Sequence, residues 1–347
     1  MEKESRFYEP LGDKTVRCII CPRMCVIKPG GRGFCNTKMN RDGRLVALTY
    51  GQLSAIAVDP IEKKPLAHFH PGSLAFSISG VGCSFTCPWC QNWHLSTAKP
   101  GELPTRYVAP GEVVAMARRQ DCTSIAYTYN EPLINLDYVE DVARLAHKRG
   151  MKNVLVTNGY ISKPALSRVV DVIDAANVDW KAFNEEFYRR YCSADLQSVL
   201  DATVEMKRRG VHVEVTFLII PETNDSEEET RRMARYLVDE LGPDTPLHLS
   251  RFFPHYKFTH VPPTPVQTLV NARRIAMEEG ARYVYVGNLP LTEYEHTFCP
   301  ACGKAVIERS GYTITGWHLD GENNCEYCGE PIPIVGSREV HRNPLMF

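Results

Sequence analysis

Short runs of β-branched and aromatic residues alternate with amphipathic stretches through the middle of this chain. Residues 74–79, 124–129, 153–157, 177–181, 211–220, 247–252 and 283–286 are apolar, brief and bounded by polar residues, Gly or Pro. That pattern predicts strands. Between them, 136–149 places Val139, Val142, Leu145 and Ala146 close to one helical face and stops at Gly150. Residues 198–209 end at Gly210 in the same way. Ser226 followed by Glu227, Glu228 and Glu229 predicts a helix start, running to Leu241 and stopped by Gly242-Pro243. A Ser N-cap satisfies a free backbone N–H, and carboxylates in the first turn suit the helix dipole. The acidic run is therefore read as a helix start, not a ligand site.

Repeated strand–helix units imply an α/β fold of parallel strands joined by right-handed crossovers. Six or seven units suit a partial or near-complete parallel β/α barrel, in which chemistry gathers at the C-terminal strand ends. A doubly wound open sheet is the alternative, but no Gly-x-Gly-x-x-Gly follows a first strand. The barrel is assigned to 64–288. Residues 1–63 and 289–347 form small Cys-rich N- and C-terminal modules.

A net charge of −1 favours neither nucleic acid nor an anionic membrane surface. No apolar run reaches 18 residues, and the N-terminus lacks a signal-peptide core, so a cytoplasmic protein with no membrane partner is expected. The cysteines change the picture more. Of 13, eleven fall into three groups: Cys18, Cys21, Cys25 and Cys35; Cys83, Cys87 and Cys90; Cys299, Cys302, Cys325 and Cys328. Close Cys-x-x-Cys spacing in a reducing compartment argues for metal over disulfides. Cys122 and Cys192 stand alone and read as packed thiols.

The central group follows the first predicted strand. Three thiolates on one loop can converge on one site. A structural zinc wants four closed ligands, and an electron-carrying [4Fe–4S] cluster usually has four cysteines. Three leave one iron open to a substrate or cofactor. The competing reading is a zinc knuckle that borrows a distant ligand such as His94.

Cys83-x3-Cys87-x2-Cys90, with Trp89 before the last Cys and a barrel strand before the first, resembles the signature of the radical S-adenosylmethionine (SAM) superfamily. The nearly full-length match resembles its activating-enzyme-like branch, the AmmeMemoRadiSam group. Cys18-x2-Cys-Pro-x2-Cys25, residues 80–93, Ala-Tyr-Thr-Tyr-Asn-Glu-Pro at 126–132 and Thr-Asn-Gly-Tyr at 157–160 carry it. The resemblance implies a radical SAM barrel whose open iron is chelated by SAM. One electron then cleaves the sulfonium, and a 5′-deoxyadenosyl radical abstracts hydrogen from a substrate. It implies an electron donor such as flavodoxin or ferredoxin. The substrate is left open between a protein, by glycyl-radical activation or another modification, and a small molecule.

The family's Gly-Gly-Glu turn, which binds the methionine amine, is replaced here by Tyr129-Asn130-Glu131. Glu131 still supplies a carboxylate. Thr157 and Asn158 are expected at the SAM ribose or carboxylate, and Trp89 near the adenine. Asp179-Trp-Lys181 resembles the Asp-x-Lys element of glycyl-radical-enzyme activases, whose Lys contacts the SAM carboxylate. Strand alternation puts Asp179 and Lys181 on one face. A plain buried ion pair is the competing reading. His248 and Arg251 are candidate substrate or SAM contacts.

The last group has the paired-knuckle spacing of a zinc ribbon or a rubredoxin-like iron site, with Gly after each pair. The first group fits either zinc or a second [4Fe–4S] cluster. A non-enzymatic zinc or iron–sulfur module that binds a protein or nucleic acid is the alternative to the enzyme.

Overall fold

The computed structural model describes residues 2–289 and 293–339. Its centre is an eight-stranded sheet with strands in chain order: β1 (Ala55–Pro60), β2 (Leu74–Ser79), β3 (Ser124–Tyr127), β4 (Lys152–Thr157), β5 (Ala175–Trp180), β6 (His212–Ile219), β7 (Leu247–Arg251) and β8 (Val284–Gly287). Pairings from β2 to β8 are all parallel, and β1 joins β2 antiparallel. β1 and β8 do not pair, so the sheet is a partial barrel. All seven predicted strands are present, with ends shifted by at most two residues. β1 was not anticipated. It lies inside the span assigned to the N-terminal module.

The crossover helices are α1 (Pro110–Arg119), α2 (Leu136–His147), α3 (Lys163–Val169), α4 (Leu196–Arg208), α5 (Glu227–Leu241) and α6 (Val266–Glu278). α5 begins as the acidic run predicts: Ser226 Oγ accepts the Glu229 N–H at 3.2 Å. Glu229 is itself buried and accepts the Phe183 N–H at 2.7 Å, tying α5 to the loop after β5. Val139, Val142 and Ala146 of α2 are buried while Leu145 is exposed, so the apolar face is narrower than the pattern suggests.

The N-terminal residues form two small antiparallel sheets, and Phe7, Val16 and Ile20 join the main core. Buried Asp137 at the start of α2 fastens this region. It accepts from Ser5 Oγ at 2.8 Å, the Arg6 N–H at 2.8 Å and Lys38 Nζ at 3.0 Å. Such a buried pair is costly to break from one side. The C-terminal residues add a three-stranded sheet (Thr297–Phe298, Ala305–Ser310, Thr313–Trp317) with a small core of its own. That core includes Ala67, Tyr283 and Tyr285 from the barrel. No helix among the described residues is long and apolar enough to cross a membrane.

Candidate active site

The cysteine loop leaves the C-terminal end of β2 through Gly80 and Gly82. Gly82 has φ +88°, and a Cβ there would meet Thr37 Cγ2 at 2.9 Å and the Cys35 carbonyl oxygen at 3.0 Å. Only glycine lets the loop run this close to the N-terminal region. Asn130, from the loop after β3, locks it in place. Its Oδ1 accepts from Ser79 Oγ and the Gly80 N–H, each at 3.0 Å, and its Nδ2 donates to the Gly82 carbonyl at 3.0 Å.

Cys83, Cys87 and Cys90 line one cavity of about 340 Å3, within the size range of small-molecule sites. Cys83 Sγ accepts the Phe85 N–H at 3.3 Å, and Cys90 Sγ lies 3.3 Å from Ser96 Oγ. Burial, and then the nearby Glu131, push the Cys83 thiol well up; the contact with Cys192 and burial do the same to Cys87. Bare thiols held this way are poorly suited to ionise alone, whereas a coordinated metal deprotonates them outright. Three sulfurs on one loop, with N–H and O–H groups beside them, fit an iron–sulfur cluster with one iron left open. His94 is exposed on the short helix Trp93–Ser96 and does not line the cavity, which argues against the zinc knuckle.

The same cavity gathers most of the other expected residues: Trp89, Tyr129, Asn130, Glu131, Thr157, Asn158, Asp179 and Lys181. Glu131 clamps two loops, accepting from the Leu133 N–H at 3.0 Å, Thr157 Oγ1 at 2.7 Å and the Asn158 N–H at 2.8 Å. Burial outweighs these donors and raises its carboxyl to about 7. Asn158 Nδ2 donates to Ser84 Oγ at 3.1 Å. Lys181 Nζ pairs with Asp179 at 2.9 Å on the cavity wall. Burial works against the ammonium, but Asp179 and then Cys87 outweigh it and raise its proton affinity. Trp89 packs against Phe187, Phe258 and Tyr191 with ring centroids 5.2 to 5.9 Å away.

Two expected contacts lie elsewhere. His248 faces a neighbouring cavity, with Nε2 2.6 Å from Glu214 and its ring stacked on Tyr285. Arg251 lines neither cavity. Its Nε donates to the Thr264 carbonyl at 2.8 Å and its guanidinium lies over Phe253. Two site residues were not anticipated. Lys64 lines the cavity, pairs with Asp59 at 2.6 Å and lies over the Tyr129 ring. Burial pulls it down to about 8 against the pull of Asp59. The Lys63-Lys64-Pro65 run was the available signal.

Cys192 is the other. It is fully buried, as a packed thiol should be, yet its Sγ lies 3.7 Å from Cys87 Sγ. Cys87 Sγ donates to it, and we expect Cys192 to be a packed neighbour of the cysteine loop rather than a ligand. Cys192→Ala should keep iron, sulfide and SAM cleavage, with a cost of about 1 kcal/mol for the lost contact. Iron and sulfide analysis checks this; a loss matching that of a loop-cysteine variant would make Cys192 a ligand.

The four C-terminal sulfurs all lie within 4.8 Å of one another, the one such set among the described residues. Cys299 and Cys328 are 3.6 Å apart, and Cys302 and Cys325 are 3.8 Å apart. A tetrahedral site with 2.3 Å metal–sulfur bonds needs about 3.8 Å. Gly303 and Gly329, at φ +73° and +81°, close the two knuckles. This group can hold a metal ion. Cys18, Cys21, Cys25 and Cys35 line a separate small cavity without closing to that distance. Arg23, also on that cavity, donates to the Ser84 carbonyl at 3.0 Å and so reaches the central cysteine loop.

Residues 77–234 match the model of the radical SAM superfamily. The chain is 47% identical over 334 residues to an uncharacterized protein of Methanocaldococcus jannaschii, covering 96% of this chain and 99% of that one. It is 21% identical over 218 residues to the pyruvate formate-lyase 1-activating enzyme of Escherichia coli K12, covering 59% and 89%. A domain of a pyruvate-formate lyase-activating enzyme from Bacteroides vulgatus superposes with a TM-score of 0.42 at 13% identity, covering 48% of this chain and 99% of that one.

Proposed function

Because the chain belongs to the radical SAM superfamily, in its activating-enzyme-like branch, we propose that it cleaves SAM reductively and removes a hydrogen atom from a substrate. The observation that carries this reading is the cavity in which three cysteines meet Glu131, Asp179 and Lys181. Cys83, Cys87 and Cys90 would hold a [4Fe–4S] cluster, which when bound supplies the electron that splits the sulfonium and frees the 5′-deoxyadenosyl radical. Glu131 offers its carboxylate to the methionine ammonium, and Lys181 its ammonium to the methionine carboxylate. Each charge would otherwise be costly to bury unpaired. Thr157 and Asn158 flank the ribose side, and Trp89 gives the adenine an apolar wall. Tyr129 and Asn130 shape the turn beneath them. His248 and Arg251 remain candidate contacts, His248 from the substrate side.

We take 1–63, 64–288 and 289–347 as the functional units. Zinc fills the C-terminal site in this reading, with rubredoxin-type iron as the variant that would relay electrons. Zinc or a second [4Fe–4S] cluster fills the N-terminal one. The physiological donor would be a flavodoxin or ferredoxin. A protein substrate is favoured by the 21% identity to an activating enzyme.

The test is anaerobic reconstitution with iron and sulfide, then dithionite and SAM. Formation of 5′-deoxyadenosine is expected. A protein that retains its cluster and forms none refutes the proposal. Metal analysis separates the alternative, since a binding module predicts zinc alone. Cys325→Ser is expected to release the C-terminal metal and open that module, because four thiolates support a very small core. Faster proteolysis within 293–339, with the barrel intact, checks it.

A further inference from the structure

Arg23 sits between two cysteines, in the turn Cys21-Pro-Arg-Met-Cys25. Backbone bonds shape that turn. The Met24 N–H donates to the Cys21 carbonyl at 3.1 Å, the Cys18 N–H donates to the Cys25 carbonyl at 2.9 Å, and Met24 takes φ +45°. The half-buried Arg23 side chain leaves the turn toward the central cysteine loop.

Its guanidinium braces two segments that meet at the cluster site. Nε and Nη2 both donate to the Ser84 carbonyl, at 3.3 and 3.0 Å, and Nη2 also donates to the Ser193 carbonyl. Ser84 follows Cys83. Ser193 follows Cys192, whose sulfur lies against Cys87. Arg23 Cζ lies 3.6 Å from the centroid of the Phe34 ring, which covers the fork. A planar cation held between a ring and two carbonyls has little freedom left. From the cavity side, Asn158 Nδ2 holds the same serine by its hydroxyl at 3.1 Å.

The Ser84 carbonyl shares a peptide group with the Phe85 N–H. That peptide is trans and planar, so its C=O and N–H point in opposite directions. The N–H is aimed at Cys83 Sγ, 3.3 Å away. Arg23 thus grips one end of a peptide whose other end touches a sulfur of the cluster site. A cationic donor on a carbonyl polarises the amide and strengthens the bond that its N–H gives. Hydrogen bonds to the sulfurs and nearby charge both set the potential of an iron–sulfur cluster.

We propose that Arg23 is a positioning residue for the cluster: through the Ser84–Phe85 peptide it aims and polarises an N–H at Cys83 Sγ, and so makes the cluster easier to reduce. This rests on the cluster assigned to Cys83, Cys87 and Cys90, and not on SAM cleavage. The N-terminal region thereby takes part in the redox chemistry, because it supplies the cation while the barrel loop supplies the ligands.

The test is a spectroelectrochemical titration of the reconstituted full chain, reading the absorbance that Cys87→Ser abolishes, with iron and sulfide measured alongside. Arg23→Gln removes both the charge and the fork. It should keep iron and sulfide at that site and lower the reduced-to-oxidised ratio at a given potential by about tenfold, which is about 59 mV for one electron. Two further variants separate aim from charge. Arg23→Lys keeps the cation but loses the paired fork. Phe34→Ala leaves Arg23 whole and removes the exposed ring that holds it flat. Each should lower the potential by part of the Arg23→Gln change. An unchanged potential in Arg23→Gln overturns the proposal. So does a wild-type potential in both Arg23→Lys and Phe34→Ala, since charge alone would then account for the effect. If Arg23→Gln loses its cluster, Phe34→Ala decides: a downward shift supports the proposal, and none overturns it. Protein that shows these shifts but makes no 5′-deoxyadenosine refutes only the SAM chemistry. Protein that makes it without the shifts refutes only the role of Arg23.

Discussion

Cys87→Ser is expected to fold, to lose the brownish cluster absorbance and to form 5′-deoxyadenosine only at background. The middle cysteine of the loop has Cys192 on one side and Lys181 and Asp179 within electrostatic reach. Serine keeps the shape of the loop but replaces a soft thiolate with a hard, weakly acidic hydroxyl that iron–sulfur sites do not favour. Cys122→Ser is the control. Cys122 is buried just after α1, and its thiol donates to the Gln120 carbonyl, away from the cysteine loop, so its loss should leave the cluster intact. Visible absorbance, iron content and product formation measured together decide the matter. A Cys87→Ser protein with undiminished SAM cleavage would remove the three-cysteine site from the mechanism.

Lys181→Ala should weaken SAM binding by about ten- to a hundredfold, the effect of losing one charge-assisted hydrogen bond of about 1.5–3 kcal/mol. Asp179 makes the loss worse. Without its partner at 2.9 Å, its carboxylate faces the cavity and repels the SAM carboxylate. Asp179→Asn should therefore recover part of the affinity lost in Lys181→Ala, a coupling that a double-mutant cycle reads directly. Equilibrium binding of SAM to the reconstituted protein checks both variants. Affinity within threefold of wild type in Lys181→Ala would reduce the pair to the plain buried ion pair that its sequence pattern equally allowed.

The barrel was legible because parallel strands buried on both faces leave compact apolar runs, and helices between them end on glycines such as Gly150 and Gly210. β1 was not, because Ala55–Pro60 is half-exposed and antiparallel, with no crossover helix to announce it. α6 was missed because its buried positions, Leu269, Ala272, Ile275 and Ala276, include two small alanines that mark a helical face faintly. The cysteine loop was legible as spacing. Asn130 was expected at the cofactor. It lines that cavity, and its three bonds also hold the cysteine loop, a role invisible before the two strand ends are brought together. Cys192 shares that obscurity. It lies 105 residues from Cys87 and sits in no motif at the relevant spacing.

The position of the C-terminal module bears on the order in which the protein matures. Its four knuckle sulfurs can hold a metal ion, and its middle strand and the hairpin turn after it line the cavity beside the cysteine-lined one. The cysteine-lined cavity is built from the barrel and the stretch leading into it. A chain loaded with its cluster before the C-terminal ion arrives would have an ignition site but an unfinished combustion chamber, with radicals formed beside open water. On the proposed chemistry, late metal at the knuckles would be a hazard, and early metal a safeguard. Cells short of that ion should accumulate protein that burns SAM without product.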